Sequence, residues 1–260
     1  MTTPRPLSFE ALHRRELARD PWVWLVAAML PLTALSWRAL APEVGVMSVF
    51  GVAALLLPPA VLALLAPRLA RRTTWAFWGS LATRPAGAYR GAVIGATLGA
   101  LLPLSAGAAA AAAVVGAAPV AAAALVGSVA AIVVAYGALA GLVAAATLEP
   151  AKAVALGAVV WGLGVVAYEP ALVALAVAFA ERAFEPYLAV LVLAHPLEIA
   201  RVALLRTLDT PVFVGPTGLL LERWWGWAPL GAAFWAGVTS LVGAALLTLV
   251  AGGVLARRSR

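Results

Sequence analysis

The chain has no cysteine. That excludes a disulfide frame and any thiolate metal site. Lysine occurs once, as Lys152, and histidine twice, as His13 and His195. A phosphate-binding loop needs a glycine-rich turn followed by lysine and serine or threonine. Lys152 stands instead in Glu149-Pro150-Ala151-Lys152-Ala153, so no such loop is present. The methionines are Met1, Met29 and Met47, and no pair of these residues has metal-ligand spacing. A Ser–His hydrolase would have to use His195, which has no nucleophile elbow near it. The chain is therefore read as no enzyme, with no cofactor and no metal of its own. Charge is scarce too: 11% of residues are charged, against about 25% in soluble domains.

What is abundant is apolar length. The composition is 64% hydrophobic, and several uncharged runs reach the roughly 18 residues needed to cross a bilayer. The alternating strands of an outer-membrane barrel are absent. The net charge of +7 gathers at the ends of the runs, where membrane orientation and anionic lipid explain it. It is not read as a nucleic-acid signature. An amphipathic segment, not a signal peptide, precedes the first run.

The stretch from Pro67 to Arg90 carries Arg68, Arg71, Arg72, Arg84 and Arg90 and no acid. Burying arginine at the bilayer centre costs roughly 2.5–3.5 kcal/mol each. This stretch must lie outside the hydrocarbon, and the positive-inside rule puts it in the cytoplasm. Spans are then expected at about 22–40, 48–66, 91–116, 119–147, from 153 past Trp161, and 229–255. Trp22, Trp24 and Trp37 flank the first, and Arg38, Pro42 and Glu43 form a short outer loop. Pro58-Pro59 should kink the second. The third and fourth are rich in alanine and glycine, which suits close helix packing within the protein or against a second copy. Ser8 can cap a helix from Phe9 to about Arg19, suited to the membrane interface or to a cytoplasmic cap. Glu181–Trp227 reads as outer helices and loops, partly re-entrant in one version. This map places 13 of the 18 basic residues on the cytoplasmic side. The fold class is all-α: a polytopic membrane protein of about six transmembrane helices, with both termini cytoplasmic.

Three places carry candidate function. Trp75, Phe77 and Trp78, interleaved with Thr73, Thr74, Ser80 and Arg84, read as a surface helix ending before Pro85. They serve either as lipid anchors or as an insertion into a partner's groove. Glu169 is the acid nearest a span interior, about 24 Å along its helix. It is either a functional intramembrane acid or a solvated span end. In His195-Pro196-Leu197-Glu198-Ile199-Ala200-Arg201, Glu198 and Arg201 can pair three apart on a helix. The plain version is a capped surface helix.

The order of these parts resembles the permease subunits of ABC transporters of the exporter class. That class includes the permease of the nitrous oxide reductase maturation system. His195 to Arg201 matches the family's Asn-Pro-x-Asp-x-x-Arg in its proline and arginine, with a conservatively changed acid. Gly215-Pro216-Thr217-Gly218 fits a family loop. Trp161 and Glu169 fall on a family tryptophan and acid, and Thr83-Arg84-Pro85 on the Thr-x-Pro ending of the first loop. Arg71-Arg72-Thr73-Thr74-Trp75 departs from the Glu-rich, Gly-Thr stretch that usually leads that loop.

The resemblance implies an N-terminal helix over 1–20 and a permease domain over 21–260, with an outer segment at about 181–227. It implies a homodimer in the cell membrane bound to two cytoplasmic ATPase subunits, which hold the ATP. Trp75, Phe77, Trp78, Arg84 and Pro85 would form the coupling loop. His195, Pro196, Glu198 and Arg201 would form an outer motif. In the maturation system the motion is passed to a periplasmic partner that handles copper. Two other functions stand beside this one. One is a generic exporter of a hydrophobic small molecule, and the other a stand-alone membrane scaffold or secondary transporter.

Overall fold

A computed structural model of the protein describes residues 9–71, 85–178, 191, 195–208, 243–248 and 250–251. The side chains of Phe9, Pro85, Ala86, Glu169, Ala176 and Arg206 lie outside that description. The elements named among the described residues are all helical. They are α1 (Phe9–Ala18), α2 (Pro21–Trp37), α3 (Pro42–Leu69), α4 (Pro85–Val114), α5 (Pro119–Thr147), α6 (Pro150–Trp161), a π-helical turn (Gly162–Val166), α7 (Tyr168–Ala178) and α8 (Pro196–Thr207). Proline punctuates the chain. It stands at the start of α2, α3, α5 and α6, and α4 and α8 also open on one. There its missing N–H costs nothing, because the first turn has no internal acceptor for it.

Three helices are long and apolar enough to cross a membrane: α3, residues Gly87–Val114 of α4, and α5. They mark the protein as membrane-embedded. The 30 residues of α4 and 29 of α5 give lengths of about 45 and 43 Å. That equals a bilayer with its headgroup regions, about 40–45 Å. Two shorter apolar stretches, Pro21–Trp37 and Pro150–Val166, accompany them. The exposed Trp22, Leu25, Leu32 and Leu35 of α2 suit a lipid-facing side.

Several expected boundaries move. Pro42 and Glu43 are not loop residues but the first turn of α3. Helical hydrogen bonding reaches that far because proline needs no partner at N1. The basic loop is shorter than Pro67–Arg90, since Arg68 lies on α3 and Arg90 on α4. Pro58 and Pro59 sit inside a single continuous helix, and Pro58 is buried.

The centre of the bundle is α5, which packs against α3, α4, α6 and α8. Small side chains make this possible. A Cβ on Gly137 would come within 3 Å of Thr97, and one on Gly141 within 3 Å of Val93. The Tyr89 hydroxyl closes the same seam by donating to the Gly141 carbonyl, at 2.5 Å. These contacts run α4 and α5 antiparallel. On its other side α4 takes α1 and α2. There Gly95 meets the Glu10 backbone, Gly99 that of Arg14, and Gly107 that of Ala27. The N-terminal helix is thus docked on α4 by backbone proximity, with Leu17 buried at the contact. The small-residue packing expected of the third and fourth spans occurs within the chain.

Two turns need the left-handed region. Gly116, between α4 and α5, has φ 69°, which glycine adopts freely. Leu148, closing α5, has φ 54° and caps by donating to the Ala144 carbonyl. A leucine there holds strain of about 1 kcal/mol.

A Cβ on Gly107 would lie 2.3 Å from the Ala27 carbonyl oxygen, which is backbone and cannot rotate away. Gly107→Ala should therefore lose about 1–2 kcal/mol in detergent, overpacking outweighing better helix propensity. Gly127 has open space around it, and Gly127→Ala should gain up to about 1 kcal/mol. Thermal unfolding of the two variants reads the opposite signs. Burial holds the His13 imidazole below its ordinary pKa of 6.5, partly offset by Glu16 at 3.4 Å. The unfolded chain then takes up this proton at higher pH than the folded one. The stability is complete above pH 6.5 and is lost as the pH falls through the lower folded value. His13→Gln should reduce the acid loss in melting temperature below pH 6.5.

Candidate functional site, a polar cluster at a helical irregularity

The fifth apolar run does not continue as one α-helix. After Trp161 the backbone widens into the π-turn Gly162–Val166, closed by the Ala167 N–H on the Gly162 carbonyl at 2.9 Å. Gly162 and Gly164 give this turn backbone freedom and leave its carbonyls uncovered by side chains. A π-turn carries one residue more than an α-turn and often marks a functional position.

Onto this irregularity comes the start of α8. The His195 ring donates from Nε2 to the Gly164 carbonyl at 2.6 Å, because a carbonyl can only accept. The same ring stacks on Tyr168, with centroids 4.1 Å apart and planes 17° apart. The Tyr168 hydroxyl donates to the Leu191 carbonyl at 2.6 Å. One turn along α8, Glu198 accepts from Arg201 at 2.8 Å. Glu198 is 5% exposed, and its charge acts electrostatically on Tyr168. His195, Pro196, Glu198 and Arg201 are thus brought together with Tyr168 and Gly164.

The expectation of a capped surface helix does not hold. Leu197, Ile199, Ala200, Val202 and Leu204 of α8 are buried. The Ser128 hydroxyl donates to the Ala200 carbonyl at 3.5 Å. Thr207 and Leu208 lie beside Ala118 and Ala121, at the start of α5. So α8 runs antiparallel to α5, outward from the interior of the bundle to the end where α5 begins. From Leu208 back to His195 is about 20 Å of helix, and from Pro150 up to Gly164 about 21 Å. Together they match the length of α5, which puts the His195–Gly164 contact near mid-height. The 12-residue α8 is too short to span, so hydropathy alone could not reveal its burial.

A second polar link sits at the opposite end. Asp20 caps α2 through the Trp22 N–H at 2.8 Å, and its other oxygen accepts from Arg68 near the end of α3. Asp20 is nearly buried there. Sequence reading missed this pair, because 48 residues separate its members. At the same end Lys152 pairs with Glu149 at 2.9 Å.

The remaining expected site residues stand as follows. Trp75, Phe77, Trp78 and Arg84 lie outside the described residues. Pro85 opens α4. Glu169 follows Tyr168 on α7, and its side chain lies outside the description. Trp161 ends α6 and packs, partly buried, against the core. Among the described residues no group of histidines and acids could hold a metal ion. No protein-family model matches this chain, and no curated protein does.

Removing one partner of a buried ion pair costs about 3–5 kcal/mol, while replacing both by apolar residues often costs little. Arg201 is partly exposed, so Arg201→Ala should fall at the lower end of that range. Glu198→Leu with Arg201→Leu should recover most of the loss. Equal melting temperatures for the single and double variants would show that the pair is not coupled.

Proposed function

We propose that the chain is the membrane permease subunit of an ATP-driven transporter of the exporter class, with about six spans and both ends cytoplasmic. It works as a homodimer in the cell membrane with a separate cytoplasmic ATPase. The observation that carries this reading is the Asp20–Arg68 link. The cost of burying arginine keeps the basic stretch at the end of α3 outside the hydrocarbon, and the positive-inside rule favours the cytoplasmic side for it. Arg68 is in the last turn of α3, just before the rest of that stretch, and its guanidinium is held by the residue that caps α2. A partner pushing on the loop at Trp75–Pro85 would move α1, α2 and α3 together. Alpha-helical packing against α5 would carry the displacement to α8.

The lack of a nucleotide-binding loop in the sequence fits a motor supplied by another polypeptide. The polar cluster then has a mechanical role. A π-turn inside a helix is frequent at functional positions. The cluster is the hinge at which α7 and α8 respond to the loop, and the segment entering the bundle as α8 is re-entrant. Copper-site maturation of nitrous oxide reductase, with a periplasmic partner receiving the motion, is the specific process we assign.

Trp78→Ala with Arg84→Ala should reduce copurification of the cytoplasmic ATPase partner while leaving membrane insertion intact. The purified chain alone should turn over no ATP. Undiminished ATPase capture by the double variant would overturn the coupling assignment, and turnover without a second subunit would overturn the class.

A further inference from the structure

A cavity of about 490 Å³ opens between α4, α5 and the helical stretch 243–248. Its lining includes Arg90, Ile94 and Leu98 of α4, Ala138 of α5, and Thr97 and Thr248. The two threonines do not make it polar. The Thr97 hydroxyl donates to the Val93 carbonyl at 2.8 Å, and that of Thr248 to the Ala244 carbonyl at 2.7 Å. Their donors are spent on their own helices. Ile94 is 46% exposed and Leu98 37%, so the cavity opens sideways, toward whatever surrounds the bundle.

Charge enters at one end. Arg90 lies five residues into α4, about 7.5 Å from its start. A bilayer of about 40–45 Å has about 30 Å of hydrocarbon, which leaves roughly 5–8 Å of headgroup region at each face. Arg90 therefore stands at the boundary between headgroups and hydrocarbon. From Arg90 to Leu98 the apolar wall extends about 12 Å deeper. Arg90 already has a contact within the chain. A guanidinium has five N–H donors in a planar fork, so contacts within the chain and an anion can share it.

We propose that this groove holds one anionic glycerophospholipid of the leaflet that bathes Arg90. The phosphodiester oxygens accept from the Arg90 fork, and an acyl chain fills the apolar column behind it. Among the described residues the layout of the groove, Arg90 at the headgroup boundary followed by a mostly apolar wall, matches the layout of that lipid. The site needs only that the bundle be embedded in a membrane. It does not depend on the transporter assignment or on which face is cytoplasmic.

The test uses the full chain in nanodiscs of phosphatidylcholine and phosphatidylglycerol in equal parts. After release into mild detergent, native mass spectrometry counts the lipids retained per chain. The wild-type chain should keep one phosphatidylglycerol in preference to phosphatidylcholine. Arg90→Gln should reduce that preference about fivefold, the ratio for one basic residue beside anionic lipid. Arg90→Lys should keep most of it. Ala138→Phe fills the column and should lose the bound lipid of either kind. Ile94→Trp, at an exposed position, repeats that arm should Ala138→Phe fail to fold. Equal retention of the two lipids by the wild-type chain would overturn the proposal, as would an unchanged preference in Arg90→Gln. A shift from dimer to monomer in Ile94→Trp, with lipid retention unchanged, would assign the groove to a second copy instead.

Discussion

The bundle depends on how closely α4 and α5 approach each other. In hydrocarbon there is little hydrophobic drive between helices, so association rests on packing and on hydrogen bonds across the seam. Gly137 and Gly141 supply the first by admitting Thr97 and Val93, and Tyr89 supplies the second. Because α5 also carries α3, α6 and α8, a small separation at this seam would be felt on every side. Alpha-helical glycine is usually a defect worth about 1 kcal/mol. Here that cost is offset by contacts that no larger residue permits.

Against this apolar background the polar groups divide by height. Asp20, Arg68, Glu149 and Lys152 gather at one end, where they pair with one another. Glu198 and Arg201 lie farther in from the other end, and His195 and Tyr168 sit deeper still. Inside a bundle each such group needs a partner, since an unsatisfied one costs several kcal/mol. The π-turn provides one by exposing the Gly164 carbonyl to His195. Backbone irregularity and side-chain polarity are therefore two halves of one solution: each would be costly without the other.

Composition and proline placement made the all-helical, membrane-embedded class legible, along with the extents of α5 and most of α2. Helix ends were readable to within about three residues. The starts of α3, α4 and α6 were not, because Pro42, Pro85 and Pro150 were read as loop residues although proline is tolerated in the first turn. The Glu198–Arg201 pairing followed from its spacing of three. Its burial did not, because α8 borrows its apolar surroundings from α5 rather than from its own sequence. The His195–Gly164 and Asp20–Arg68 contacts join residues 31 and 48 apart. Local pattern has no purchase on such pairs. A glycine pair beside a tryptophan, as in Trp161-Gly162-Leu163-Gly164, was the available hint of an irregular turn.

The extra residue in Gly162–Val166 also acts as a steering joint. Each α-helical residue advances the facing direction by about 100°, so one additional residue turns everything beyond it by that amount. Tyr168 faces His195 because of this offset, while Val173 and Val177 are turned outward. Shortening the turn by a single position would swing the aromatic ring toward the surroundings and bring a different edge of α7 against α8. The length of this five-residue segment thus sets which side of the helix after it belongs to the protein and which to the lipid.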